Sequence, residues 1–355
     1  MNNKYGLICV CNTLKEEDPS NSFQGMTRKE FTQIAGKSDE DTAIKKLEDQ
    51  ILHNLELTCK IIQFCRANHI DHYRLNQSIF GIAEDSSVDI DLRKLPRFDE
   101  ITESIHKVGV SAISNMVSLS IQPDIFCKLN DDDEQIVQNS ISELNFYGWL
   151  LDTIGLQKNY SAPIICSVGN QPASDSHDDI IQFVESLITN FNELDESVQK
   201  RLSFKNDDAG AWTALALFKY FHVYCREKFG QGMALSYDNL HDSCNPSYIE
   251  KELIDPNVNV GAYHETWGGV VPVFSWSEAI EPGSKKHSVD YSAPIPDFNY
   301  QIKWECDAQS RDKAILKLLE PTEEFKITEE MLKTMTRKKY TDASDYYNKL
   351  YQRSK

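Results

Sequence analysis

Eight times along this chain a short apolar run of strand length breaks abruptly into a polar cluster, and most of these events are separated by an amphipathic helix. The sharpest case is Arg201-Leu-Ser-Phe-Lys-Asn-Asp-Asp208, where Leu202 to Phe204 read as a buried strand running into Lys205, Asn206, Asp207 and Asp208. The other runs are Tyr5 to Cys11, His72 to Leu75, Met116 to Ile121, Ile164 to Val168, Met233 to Tyr237, Val270 to Trp276 and Tyr300 to Trp304. Near-continuous apolar strands suit a parallel sheet covered on both faces. Eight of them alternating with helices predict an α/β fold, a closed (β/α)8 TIM barrel, whose strand ends present side chains at one mouth. An open doubly wound sheet would carry a glycine-rich phosphate loop after its first strand, and Cys11-Asn-Thr-Leu-Lys15 is not one.

Helical spacing and caps fill the intervals. Ile44, Leu47, Ile51, Leu55, Ile62 and Cys65 share one face of a helix over Asp39 to Asn68, with Ser38 or Asp39 as its cap. Further helices are expected at Phe98–Ser114, Asp133–Gly155, Asp178–Glu193, Ala211–Lys228 and Arg311–Leu319, and a long polar loop at Asn12–Lys37. Residues 1–320 are read as the barrel and 321–355 as a charged, Tyr-rich helical tail.

No apolar run has the length of a membrane span, and the first residues lack a signal peptide's regions, so a cytoplasmic protein is expected. Nine Cys without a Cys-x-x-Cys pair fit reduced thiols better than a disulfide framework or a thiolate zinc site. A net charge of -18 weakens nonspecific binding to DNA and argues against a protein that coats it. A local basic rim or bound cations can still hold a phosphate, and a protein partner stays open.

The polar residues at strand ends are Asn76, Gln122, Ser167, Lys205, Asp238, His241, Ser275 and Glu305, with His287 in the loop before the last strand. Imidazole with carboxylate suits a divalent transition metal, which makes Asp238, His241, His287 and Glu305 the candidate ligands. The plain structural reading of each is a cap or a salt-bridge partner.

The chain resembles the UV damage endonucleases, barrels related to apurinic endonucleases and sugar isomerases. The resemblance runs from Tyr5 to Leu319 on Gly6-Leu-Ile-Cys-Val-Cys-Asn-Thr-Leu, Tyr73-Arg-Leu-Asn-Gln-Ser-Ile-Phe, Gln122-Pro-Asp-Ile-Phe, Arg201-Leu-Ser-Phe-Lys-Asn-Asp-Asp, Tyr237-Asp-Asn-Leu-His, Pro272-Val-Phe-Ser-Trp-Ser and Trp304-Glu-Cys. It implies a cluster of divalent metals, commonly manganese, in the mouth and nicking of DNA beside lesions. It also assigns Asp238, His241, His287 and Glu305 to family ligand positions. Departures fall on the chemistry. Gln122 and Ser167 stand where the resemblance expects His, and Lys205 where it expects a metal-bridging Glu. Val273 and Ser275 replace a Lys and a His, Leu7 replaces a Tyr, and Ile125-Phe126 replaces a lesion-probing Gln-Tyr pair. A His after the second strand has no counterpart beside Phe80, where only Glu84 and Asp85 lie near.

An ammonium cannot ligate a metal, so Lys205 is expected to stand in for cations, paired with Asp238 and Glu305. That leaves at most one divalent ion, Mn or Zn, on His241 and His287, or none. Two functions follow: a catalytically degenerate barrel with a binding or structural role, or an active divergent UV damage endonuclease. A metal-dependent sugar isomerase would share only the fold.

Overall fold

The structure, a computed structural model, describes residues 3–84 and 90–320. Eight strands build the barrel: β1 (Asn3–Ile8), β2 (His72–Arg74), β3 (Ser118–Ser120), β4 (Ile164–Ser167), β5 (Leu202–Lys205), β6 (Ala234–Ser236), β9 (Val273–Trp276) and β10 (Ile302–Cys306). A small antiparallel hairpin, β7 (Tyr248–Ile249) and β8 (Glu252–Leu253), interrupts the series. Parallel pairing runs β3-β2-β1-β10-β9 and β4-β5-β6. The two arcs join at single bridges, Ile121 to Ile164 and Asp238 to Ser275. There the Ile165 N–H donates to the Ile121 carbonyl at 2.9 Å and the Ser275 N–H to the Tyr237 carbonyl at 2.8 Å. The ring is closed and parallel, the barrel expected from the strand pattern.

Helix caps set the frame locally. Asp39 accepts from the Thr42 N–H at 2.6 Å and opens Glu40–Ala67. Asp133 caps Glu134–Ile154, and Gly155 ends it at φ 88°, a left-handed position that suits glycine. Phe98–Asn115 packs on Glu134–Ile154 so closely that a Cβ on Gly109 would lie 1.8 Å from the Ile154 carbonyl oxygen.

Several expectations are corrected. Asn12–Lys37 is not a long loop; it holds helices Asn12–Glu17 and Arg28–Lys37. The second is opened by a Thr27/Glu30 capping box that the polar composition obscured. The first strand stops at Ile8, because Cys9 turns to φ 58°, so Cys9 and Cys11 do not share a strand. Ala211–Lys228 is not one α-helix. Ala214–Leu217 gives way to π-helical turns over Phe218–Tyr224 and then to Cys225–Phe229. Between β6 and β9 lie two helices not foreseen, Asn239–Cys244 and Pro256–Glu265. The tail at 321–355 and the residue Asp85 fall outside the described residues. Among the described residues no helix is long and apolar enough to cross a membrane.

Candidate functional site in the barrel mouth

Barrels of this type commonly fill their axis with bulky branched side chains. This one is lined by small and polar groups: His72, Ser120, Ser203, Ser236, Ser275 and Glu305 are all buried. Gly6 makes room for the imidazole, since a Cβ there would lie 2.8 Å from His72 Cδ2.

Glu305, on β10, is fully enclosed. Its Oε2 accepts from Arg74 at 3.0 Å, and its Oε1 lies 3.3 Å from His72 Nε2 and accepts from Ser120 Oγ at 2.5 Å. Burial alone would raise the carboxyl's pKa; the Arg74 charge and the His72 contacts overcome it, and the net shift is downward. Arg74 also donates to Gln122 Oε1 at 2.6 Å and stands 3.7 Å from Asp307 Oδ2. Asp307 binds Arg311 at 2.5 Å and lies 3.9 Å from His287 Nε2. Here too burial pushes upward, and Arg74, Arg311 and His287 bring the carboxyl below its ordinary value.

A second group gathers at the ends of β5 and β6. The Lys205 ammonium is 3.5 Å from Asp238 Oδ2, and both side chains are buried. Asp238 Oδ1 accepts the Leu240 and His241 N–H groups, so it also caps the short helix there. Asn206 exchanges two hydrogen bonds with the Asp238 backbone, at 2.8 and 3.0 Å. His241 Nδ1 donates to the Asn206 carbonyl at 2.7 Å, which turns Nε2 towards Asp238 Oδ2 at 3.9 Å. Asp207, beside them, has its pKa pushed up to about 7 by burial, partly offset by Lys205 and reinforced by Asp208 and Asp238.

The four expected ligands are therefore brought to one mouth but divided. Asp238 and His241 sit with Lys205, and Glu305 sits with Arg74 and His72. His287 faces Asp307. Glu305 takes its charge partner from Arg74, correcting the expectation that Lys205 pairs with it. Arg74 and Asp307 were missed, although period-2 alternation puts them on the faces of His72 and Glu305. Ser167 ends β4 half-buried, and Val273 and Ser275 are buried on β9. Ile125 and Phe126 stand 71% and 75% exposed on the loop after β3. Trp276 packs edge-on against Phe298 and Trp304.

These donors do not fit a metal cluster. Among the described residues no three His, Cys, Asp or Glu side chains converge to hold an ion. The carboxylates present are instead neutralised by Arg74, Lys205 and Arg311. Among the described residues three buried polar atoms near the rim, Trp276 Nε1, Ser277 Oγ and His287 Nδ1, have no hydrogen-bond partner.

A closed parallel barrel with its polar residues gathered at the C-terminal strand ends is the (β/α)8 architecture in which functional residues occupy the mouth. The sequence pattern of the UV-endonuclease UvdE family matches residues 3–339, and the chain belongs to that family. It is 22% identical over 321 residues to the UV DNA damage endonuclease of Nostoc sp. (strain PCC 7120 / SAG 25.82 / UTEX 2576), covering 89% of each chain. It is 25% identical over 214 residues to that of Bacillus cereus (strain B4264), covering 60% of this chain and 62% of the relative. The solved structure of SacUVDE superposes with a TM-score of 0.67 at 19% identity, over 89% of this chain and 96% of the other.

Proposed function

We propose that this chain is a UvdE-lineage barrel that recognises damaged DNA and has lost, or nearly lost, metal-dependent nicking. The single observation that carries the reading is the charge pairing in the mouth: Lys205 on Asp238, and Arg74 with His72 on Glu305. A metal cluster activates water and stabilises the leaving oxygen. Carboxylates already matched by internal cations have little charge left to draw a divalent ion, and an ammonium supplies no lone pair. What stays on the rim is contact chemistry. Ile125 and Phe126 are exposed where an unstacked base would meet apolar surface, a contact that tolerates any base.

The runner-up, an active endonuclease with one divalent ion, has one observation in its favour. The His241 Nε2 lone pair, the Asp238 carboxylate and the unpartnered Nδ1 of His287 all lie at the rim. The test is incubation of UV-irradiated and untreated plasmid with the protein and Mn2+, paired with a gel-shift on the same DNA. Preferential binding of irradiated DNA without relaxation of the plasmid is expected. Lesion-dependent nicking that rises with Mn2+ would restore the enzyme.

A further inference from the structure

We propose that Cys127 and Cys166 form a dithiol site that a low-molecular-weight disulfide oxidises reversibly, tethering the loop that carries Ile125 and Phe126 to β4. The inference stands apart from the DNA-directed reading of the barrel and does not need it.

The loop is a closed turn. The Cys127 N–H donates to the Asp124 carbonyl at 3.0 Å, the Phe126 N–H to Asp124 Oδ1 at 2.9 Å and the Asp124 N–H to Glu143 Oε1 at 3.1 Å. Ile125 and Phe126 take the two central positions and are exposed, while Cys127 is buried. Cys127 Sγ lies 3.9 Å from the Ser140 carbonyl oxygen, and the Lys128 N–H donates to Ser140 Oγ at 2.8 Å. The chain after Cys127 lies along the chain after Cys166. Asn170 donates to the Asn130 carbonyl at 2.8 Å and to Asp131 Oδ2 at 2.7 Å, and a Cβ on Gly169 would lie 2.9 Å from Lys128 Cγ. Upstream, Ile121 and Ile164 are bridged. Cys166 pairs in register with Phe204, which packs on Phe221 of the helical layer. Its thiol therefore lies on the outer face of β4, away from the charge pairs on the axis. Both thiols are free and buried, and they are in hydrogen-bonding contact.

The Cys166 contact and burial hold the Cys127 thiol well above its ordinary pKa, so its thiolate is scarce while the turn is closed. Local opening of the turn, next to exposed Phe126, gives a reagent its route to Cys127. The Cys127 thiolate, its proton passed to solvent, attacks the reagent's disulfide and expels one thiolate. The Cys166 thiolate then attacks Cys127 Sγ in the mixed disulfide and expels the other. The two protein thiols give up two protons and two electrons, and the reagent takes both and leaves as two thiols. Because Cys166 already touches Cys127, the second step is intramolecular and outruns release of the mixed disulfide.

The experiment incubates the full chain with oxidised glutathione, traps the remaining thiols with an alkylating agent under denaturing conditions, and maps disulfides by mass spectrometry of an unreduced digest. The expected product has one bond, Cys127 to Cys166, with the other seven of the nine cysteines alkylated. Dithiothreitol should reverse it. Brief chymotrypsin treatment of the native chain should cut after Phe126 several-fold more slowly once the bond has formed, and Cys166→Ala should show no such protection. The mapping needs no variant, so a poorly folded Cys166→Ala leaves the test intact. A chain that keeps both thiols reduced, that retains glutathione on Cys127, or that links a different pair overturns the inference. Equal cleavage after Phe126 with and without the bond overturns it too, because the loop is then not tethered.

Discussion

Arg74 illustrates how one side chain can redefine a site. With Glu305 fully buried on β10, a guanidinium at 3.0 Å is what keeps the carboxylate ionised inside the barrel. Removing one partner of a buried pair leaves an uncompensated charge, at a cost of ~3–5 kcal/mol. Arg74→Met is therefore expected to unfold at clearly lower urea than wild type, and Arg74→Met/Glu305→Gln to recover most of the loss. Equal midpoints for wild type and Arg74→Met would show that the pair carries no weight. Asp207 makes a second prediction, of opposite sign to a salt-bridged acid. Its folded pKa, about 7, lies above the ordinary carboxyl value, so the folded state binds more protons than the unfolded one between the two. Its burial penalty is absent below the unfolded pKa and grows until pH passes the folded value. Asp207→Asn should raise stability at pH 8 by on the order of 1–2 kcal/mol, discounted for partial exposure, and leave it unchanged near pH 4. Thermal melts at the two pH values check this; the same gain at both would contradict it.

At the scale of elements, strand ends position the chemistry and helices hold the strands. Gly109 is the tightest helix contact, with the Ile154 carbonyl where a methyl group would go. Gly109→Ala should cost more than 2 kcal/mol by overpacking, despite alanine's better helix propensity. A midpoint at or above wild type in a urea titration would mean the helices part easily. Element identity was largely legible in the sequence: all eight strands and the helices Glu40–Ala67, Phe98–Asn115 and Glu134–Ile154 follow apolar periodicity and caps. The miss at Arg28–Lys37 has a physical cause. That helix has no fully buried residue, and its apolar stripe is short, little more than Phe31 and Ile34 half-buried against the core, so the capping box is its clearest signal. The site was legible as a place but not as a wiring diagram. Lys205 and Asp238 were paired correctly from charge, whereas Glu305 went to His72 and Arg74 because register sets His72 across Gly6 of β1 from it and Arg74 two residues further along the same face. Register is a long-range property that no local spacing reports.

For the whole molecule, the family barrel carries a charge balance built into its own mouth. Lys205 on β5 and Arg74 on β2 balance Asp238 and Glu305 from within. Lys205→Glu reverses that balance, crowding Asp207 and Asp238 with a third carboxylate. The variant should be less stable than wild type at pH 8 and should regain stability when Mn2+ is added, which a melting series with and without the ion reads directly. The most direct measurement is the number of divalent ions held per chain, by calorimetric titration with Mn2+ and elemental analysis of the purified protein. Fewer than one ion per wild-type chain, rising in Lys205→Glu, is the result predicted here. Two or more ions bound at micromolar affinity by the wild type would contradict it.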